Sequence, residues 1–153
     1  MERKEFRILI DAPKERVWEI LWGPTYYPAW TSLFMEGSRV ESINSPESQV
    51  WKQGNKVRFL GPDNEGMVSM VAENKPNERM SFKHLGVVMK GVEDLDSPQS
   101  REWAGSMENY TLKSKSGKTE LIVDMDITPE YLEYFQKAWP KALEKVKELS
   151  EQK

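Results

Sequence analysis

The sequence predicts an α+β domain in which an antiparallel sheet wraps around one long helix. Three observations carry this. A short apolar strand at the N-terminus runs through Ala12-Pro13 into an aromatic helix. An amphipathic helix closes the chain, from about Pro129 to Glu151. Between Val40 and Ile127 almost every apolar segment reads as strand and turn. A sheet gripping a helix tends to enclose a pocket, and the many aromatic side chains direct the expectation to a small-molecule site.

The 153 residues suit one domain, residues 1–153, and are too few for two comfortable cores. Apolar residues make up 38% and charged residues 31%, a globular and not a disordered balance. The net charge of −3 lacks the basic excess of a duplex-binding surface, so no nucleic-acid partner is predicted. The absence of cysteine excludes disulfides, thiolate nucleophiles and cysteine-based zinc sites. Met1 to Phe6 is charged and has no apolar signal core, and no run reaches membrane-spanning length. A cytoplasmic location without membrane insertion is the resulting expectation.

In the first strand Phe6, Ile8 and Ile10 alternate with Arg7, Leu9 and Asp11. Pro13 fits the first position of a helix, where its missing N–H costs nothing. Val17, Trp18, Leu21 and Trp22 follow at helical spacing, and Gly23-Pro24 ends the run. Tyr26 to Phe34 predicts a second short helix despite Pro28, ended by Gly37. Strands are predicted at Ser38 to Ile43, bounded by Asn44-Ser45-Pro46, then at Lys56 to Leu60, Gly66 to Glu73 and Arg79 to Leu85. The turns between them are Gln53-Gly54-Asn55, Gly61-Pro62-Asp63-Asn64 and Asn74-Lys75-Pro76-Asn77. Val87 to Trp103 reads as a long irregular connection or flap. Ser106 to Lys113 and Thr119 to Ile127 read as a hairpin around Ser116-Gly117.

Thr128-Pro129-Glu130 is a helix start: a cap, a first-turn proline and an acid at the positive end of the dipole. Leu132, Phe135, Trp139, Ala142, Leu143, Val146 and Leu149 then form one apolar stripe. At about 1.5 Å per residue the helix is ~33 Å long and crosses a whole sheet. Pro140 lies inside it and removes one backbone hydrogen bond, so a bend is expected over the sheet or over a cavity.

Motif chemistry is sparse. The chain has no phosphate loop, dinucleotide fingerprint, nucleophile elbow or histidine pair at metal spacing, so no cofactor, metal site or catalytic residue is assigned. Asn109-Tyr110-Thr111 matches a glycosylation acceptor but falls in a predicted strand. Glu93, Asp94 and Asp96 match no calcium loop and read as a solvated acidic loop. The single histidine, His84, shares a strand face with Met80 and Phe82. Glu108 shares one with Tyr110 and Leu112. Both faces are apolar and should point inward, bringing His84 and Glu108 together if the strands are neighbours. A buried carboxylate needs a partner. The pair reads as a structural ion pair, a ligand anchor or an acid–base couple. Six Trp, five Tyr and five Phe are many bulky groups for one small core. Those expected around a ligand are Trp22, Tyr26, Trp30 and Phe34 on the helical pair, Phe59, Phe82 and Tyr110 on strands, and Phe135 and Trp139 on the last helix, together with His84 and Glu108.

The chain resembles the START-like, Bet v 1-like (SRPBCC) superfamily with the helix-grip fold. Within it, it looks most similar to bacterial single-domain proteins related to the C-terminal domain of the activator of the Hsp90 ATPase. The residues that carry this are Ile8 to Pro13 with Val17-Trp18, Trp30 through Glu36-Gly37, Trp51, Gly54, Lys56-Val57, His84-Leu85-Gly86, Glu108, Tyr110, Phe135, Trp139 and the Leu143 to Leu149 helix. The resemblance implies an antiparallel sheet of about seven strands around the C-terminal helix, with two short helices closing one end. It also implies an internal cavity for apolar molecules. Some members are cyclases, aromatases or hydrolases. The co-chaperone role of eukaryotic relatives depends on an additional N-terminal domain, for which this chain has no room.

Three functions follow as expectations. The first is cytoplasmic binding of a small apolar or amphipathic molecule. The second is an enzyme of cyclase, dehydratase or hydrolase type that uses His84 and Glu108. The third is a co-chaperone-like module that binds a protein, of no specified identity, through a sheet face or the Val87–Trp103 segment.

Overall fold

Alternation at the N-terminus yields strand β1, Glu2–Ile10, whose Phe6, Ile8 and Ile10 face the core while Leu9 stays exposed. This is a computed structural model, and it describes residues 1–42 and 49–152. Pro13 stands one residue before helix α1, Lys14–Trp22, in an extended conformation. Helix α1 buries Val17, Ile20, Leu21 and Trp22, and leaves Trp18 half-buried. Helix α2 is shorter than expected, Tyr27–Thr31, with Pro28 in its first turn. There the missing N–H lacks an intrahelical partner anyway, which is why this proline starts a helix instead of breaking one.

Strands β2 (Arg39–Ser42), β3 (Lys56–Leu60), β4 (Gly66–Lys75) and β5 (Arg79–Met89) follow. The predicted end of the first of these at Ile43, and the Asn44-Ser45-Pro46 boundary, lie outside the described residues. Strand β6 (Val92–Asp94) and helix α3 (Pro98–Trp103) come next, then β7 (Met107–Lys115) and β8 (Lys118–Ile127). A single 3-10 turn, Pro129–Tyr131, leads into helix α4, Leu132–Glu151. Thr128 is extended before that turn, but its hydroxyl caps no backbone N–H.

The strands form one curved antiparallel sheet in the order β1-β8-β7-β5-β4-β3-β2, with β6 paired to β5. The Val87–Trp103 segment is therefore not an irregular flap. Val87 to Met89 continue β5, Val92 to Asp94 fold back on it, and Ser97 caps α3 by accepting from Ser100 N at 3.2 Å. The extra strand β6 makes eight described strands where about seven were expected.

The inner face follows from period-two alternation. Leu121, Val123, Met125 and Ile127 on β8, and Tyr110 and Leu112 on β7, are buried against Val17, Leu21 and Trp22 of α1 and Trp139, Leu143 and Val146 of α4. Each large side chain removed from water in this way stabilises the fold by about 1.5–3 kcal/mol before entropy is counted. Trp139 Nε1 donates to Met125 Sδ at 3.1 Å, which ties the final helix to the sheet.

The acidic segment is held by its own neighbours. Glu93 pairs with Lys56 at 2.6 Å and with Arg58 at 2.8 Å. The Lys56 hydrogen bond leads in holding the Glu93 carboxyl below its ordinary range, opposed by desolvation and helped by Arg58. Asp94 accepts from the N–H groups of Asp96 and Ser97, both at 3.0 Å. Asn109 is buried in β7 and donates to Asp124 at 3.1 Å, so its side chain serves the sheet.

Candidate functional site

Helix α2, the start of α4 and the inner face of β3, β5 and β7 leave a cavity of about 450 Å³ between them. Trp30 and Phe34 line it from the α2 side, Phe135 and Trp139 from α4, and Phe59 and Tyr110 from the sheet. The rings form a continuous wall: Phe34 and Trp139 stand 4.7 Å apart, Trp30 and Trp139 6.1 Å, Tyr110 and Trp139 5.9 Å. These contacts are edge-on or tilted, the geometries that aromatic pairs favour over a face-to-face sandwich.

Three residues expected at the ligand are not on this wall. Trp22 is buried behind it, 4.8 Å from Tyr110 and 5.6 Å from Phe82. Phe82 lies fully in the core between Trp22 and Phe59. Tyr26 is half-buried beside α1, with the Arg16 guanidinium 5.5 Å above its ring. Tyr27 lines the cavity in its place. Helical spacing could have shown this, because Tyr27 lies three residues before Trp30 and shares its face.

His84 and Glu108 both reach the cavity. Strand pairing explains how. Phe82 is opposite Glu108 across β5 and β7, so His84, two residues on, lies diagonal to Glu108 on the same face. His84 Nε2 stands 3.4 Å from Glu108 Oε1. The other carboxylate oxygen, Oε2, accepts from the Tyr110 hydroxyl at 2.5 Å. The imidazole is fixed from behind by Ser69, directly opposite it on β4, with Oγ 2.7 Å from Nδ1. In the neutral Nε2–H tautomer the Ser69 hydroxyl donates to Nδ1; in the imidazolium Nδ1–H donates to Ser69. The Trp103 ring stands edge-on to His84 at 6.3 Å.

Register irregularities decide this geometry. Val68 pairs with Gly86 but Ser69 pairs with His84, so Leu85 is an extra residue on β5. The bulge falls after His84, so the inward row Met80, Phe82, His84 survives intact.

The electrostatics are those of a carboxylate among phenols. Burial, and then the nearby Glu108 charge, push the Tyr110 hydroxyl well above its ordinary pKa. Burial followed by Glu108 does the same to Tyr27. Both stay neutral donors. Ser69 is fully buried and is not on the cavity wall, so its hydroxyl orients the ring and offers no nucleophile to a ligand. The cluster can accept hydrogen bonds, oppose a positive charge or relay a proton through His84.

Sequence reasoning also missed Trp103, Tyr131 and Tyr134, which line the cavity near α3 and the start of α4. The Tyr134 hydroxyl donates to Phe34 O and ties α4 to the segment after α2. Helix α3 is held close by Gly86. A β-carbon there would lie 2.6 Å from Asp94 O, 2.5 Å from Ser100 Oγ and 2.7 Å from Leu95 Cδ2. Gly86→Ala should therefore push the β6–α3 segment outward, at about 1–3 kcal/mol of stability, and carry Trp103 away from His84. A urea melt and the Trp103 environment, read against a Trp103→Phe background, check this. Unchanged stability and an unchanged spectrum would contradict it.

Among the described residues, no group of three or more His, Asp or Glu side chains could hold a metal ion. No described helix is long and apolar enough to cross a membrane.

Against known proteins, the model of the family described as activator of Hsp90 ATPase homolog 1-like protein matches residues 11–151. The chain belongs to this family. As expected of the family, solved structures share its helix-grip fold. A protein of Chromobacterium violaceum, CV1439, is similar over 100% of both chains at 18% identity, with a TM-score of 0.66. The Aha1 dimer from Colwellia psychrerythraea is similar over 99% of this chain and 97% of its own, at 15% identity and a TM-score of 0.69. DynU16, described as a putative protein in the dynemicin biosynthetic locus, is similar over 97% of this chain but 46% of its own, at 16% identity and a TM-score of 0.64. At such identities the likeness is one of fold. No curated protein matches the sequence.

Proposed function

We propose that this chain binds a small, largely apolar molecule in the cavity under α2 and α4. The observation that carries the reading is the cavity itself: about 450 Å³, walled by aromatic rings, with a few polar groups converging at His84, Glu108 and Tyr110. That combination of apolar wall and sparse oriented polar groups is what small-molecule sites use. Family membership supports a ligand-binding fold, and the likeness to a protein from a biosynthetic locus is compatible with an apolar ligand.

An enzymatic use of the same cavity draws support from one further feature. The imidazole that Ser69 holds faces both the cavity and Glu108, so a proton could move between ring and ligand. Binding is the reading this geometry supports best, because the apolar wall makes up most of the site and the polar groups are few.

The test is titration with the neutral apolar dye Nile red, followed by tryptophan fluorescence. Trp30, Trp103 and Trp139 all line the cavity, so saturable quenching is expected, together with a retained small molecule in native mass spectra of gently purified protein. A signal that never saturates with the dye or with a neutral alcohol series, and a bare native mass, would refute the reading.

A further inference from the structure

We infer that the molecule held in this cavity is a cationic amphiphile, with a protonated amine or quaternary ammonium head set against Glu108 and an apolar body along the aromatic wall. The inference rests on the binding reading above and adds the charge of the ligand to it.

The charges on the wall point this way. Among the described residues, three carboxylates line the cavity, Asp63, Glu65 and Glu108, against one arginine, Arg39. Counting His84 as protonated still leaves the carboxylates in excess. Arg39 is also engaged elsewhere: Nη1 donates to Gly61 O at 2.9 Å, the other nitrogen donates to Asn64, and Glu41 lies 3.8 Å away. Asp63 is turned to the N–H of Glu65 at 3.1 Å, a local turn contact at the mouth. Glu108 is the carboxylate placed deep among the rings.

Glu108 is incompletely satisfied by the protein. Two oxygens present about four acceptor positions. One takes the Tyr110 hydroxyl, and His84 Nε2 approaches the other at 3.4 Å, longer than the usual charged hydrogen bond. The Glu108 side chain is 19% exposed, so the remaining acceptor positions open toward the cavity, where a cation or a strong donor can meet them. An ammonium head would supply both.

The rings supply the second half of a cation site. Tyr110 hydrogen-bonds Glu108 and lines the cavity together with Trp30 and Trp139, so a head group set against the carboxylate has aromatic side chains beside it. Aromatic faces attract a cation that approaches within about 6 Å. Burial keeps Tyr110 and Tyr27 un-ionised, so neither adds a competing charge and both remain π-faces. An anionic ligand such as a fatty acid would instead meet the Glu108 carboxylate on the inner wall.

The experiment compares three ligands of one shape at neutral pH and low salt: decylamine, decanol and decanoate, each titrated into the full chain by tryptophan fluorescence and calorimetry. Decylamine should bind about tenfold or more tightly than decanol, as expected for one partly desolvated charge contact, and decanoate should bind weakest. Glu108→Gln keeps an oxygen to accept from Tyr110 and should bring the ratio of decylamine to decanol affinity close to one, whatever it does to the affinity for decanol itself. Equal affinities for the three, a preference for decanoate, or an amine preference that survives in Glu108→Gln would overturn the inference and leave the binding reading standing. Failure of all three to bind would overturn both. The ligand ranking on the unmodified chain stands as a test whatever the folding of the variant.

Discussion

Replacing Trp30 with alanine is expected to destabilise the protein by about 3–5 kcal/mol, the range for emptying a buried tryptophan site. Trp30 is 1% exposed. Its indole packs against Tyr27 at 5.6 Å and lies near Trp22, Phe34, Tyr110 and Trp139. Its Nε1 donates to Leu21 O at 3.1 Å, tying α2 to the end of α1. The deletion cannot collapse cheaply, because one side of the ring already borders the cavity. Trp30→Phe keeps most of the surface and loses the hydrogen bond, so a cost nearer 1 kcal/mol plus a packing term is expected. Urea midpoints at an unchanged slope measure both. A loss below about 1 kcal/mol for the alanine variant would mean that the two short helices are not pinned by this ring.

Replacing His84 with alanine is expected to cost about 2–4 kcal/mol, from the lost ring and a stranded Ser69 hydroxyl. The full penalty of a broken buried ion pair, about 3–5 kcal/mol, should not appear. Glu108 keeps the Tyr110 hydroxyl and its side chain is 19% exposed toward the cavity. A double-mutant cycle separates the terms. Ser69→Ala in the His84→Ala background should cost less than Ser69→Ala alone, because the stranded hydroxyl is then gone. If the two changes simply add, the Ser69–His84 contact contributes nothing to stability. Decanol titrations on the same variants show whether the ring also matters to a ligand. A stability loss with unchanged binding would make His84 a structural residue alone.

Much of the fold was legible because its signals are local. The alternation of Phe6, Ile8 and Ile10 and the helical stripe through Trp139, Leu143 and Val146 fix which side of each element is apolar, and burial of those sides follows. The meeting of His84 and Glu108 was legible for the same reason: each sits on an apolar strand face, and β5 and β7 are neighbours. The errors fall where neighbours outweigh local pattern. Pro28 and Gly23-Pro24 blurred the frame of α2, so Tyr26 was expected where Tyr27 stands. The acidic, glycine-containing stretch after Val87 looked irregular. It is ordered by contacts remote in sequence: Lys56 and Arg58 on Glu93, and α3 pressed onto Gly86.

The cavity divides in the same way. The sequence by itself determined an aromatic inner face, with one histidine and one glutamate upon it, because side-chain direction along a strand or helix is set by backbone period. Which rings fill the core and which border a space was decided only by the tertiary structure. Trp22 and Phe82 close on each other at 5.6 Å behind the wall, while Phe34, Trp139 and Tyr110 are held around an opening. Ser69 reached His84 through strand pairing beside a bulge at Leu85, whose local sign in the sequence is the adjacent Gly86. A void is a property of the distances between elements. Those distances come from packing, bulges and close backbone contacts such as that at Gly86, which act between residues far apart along the chain.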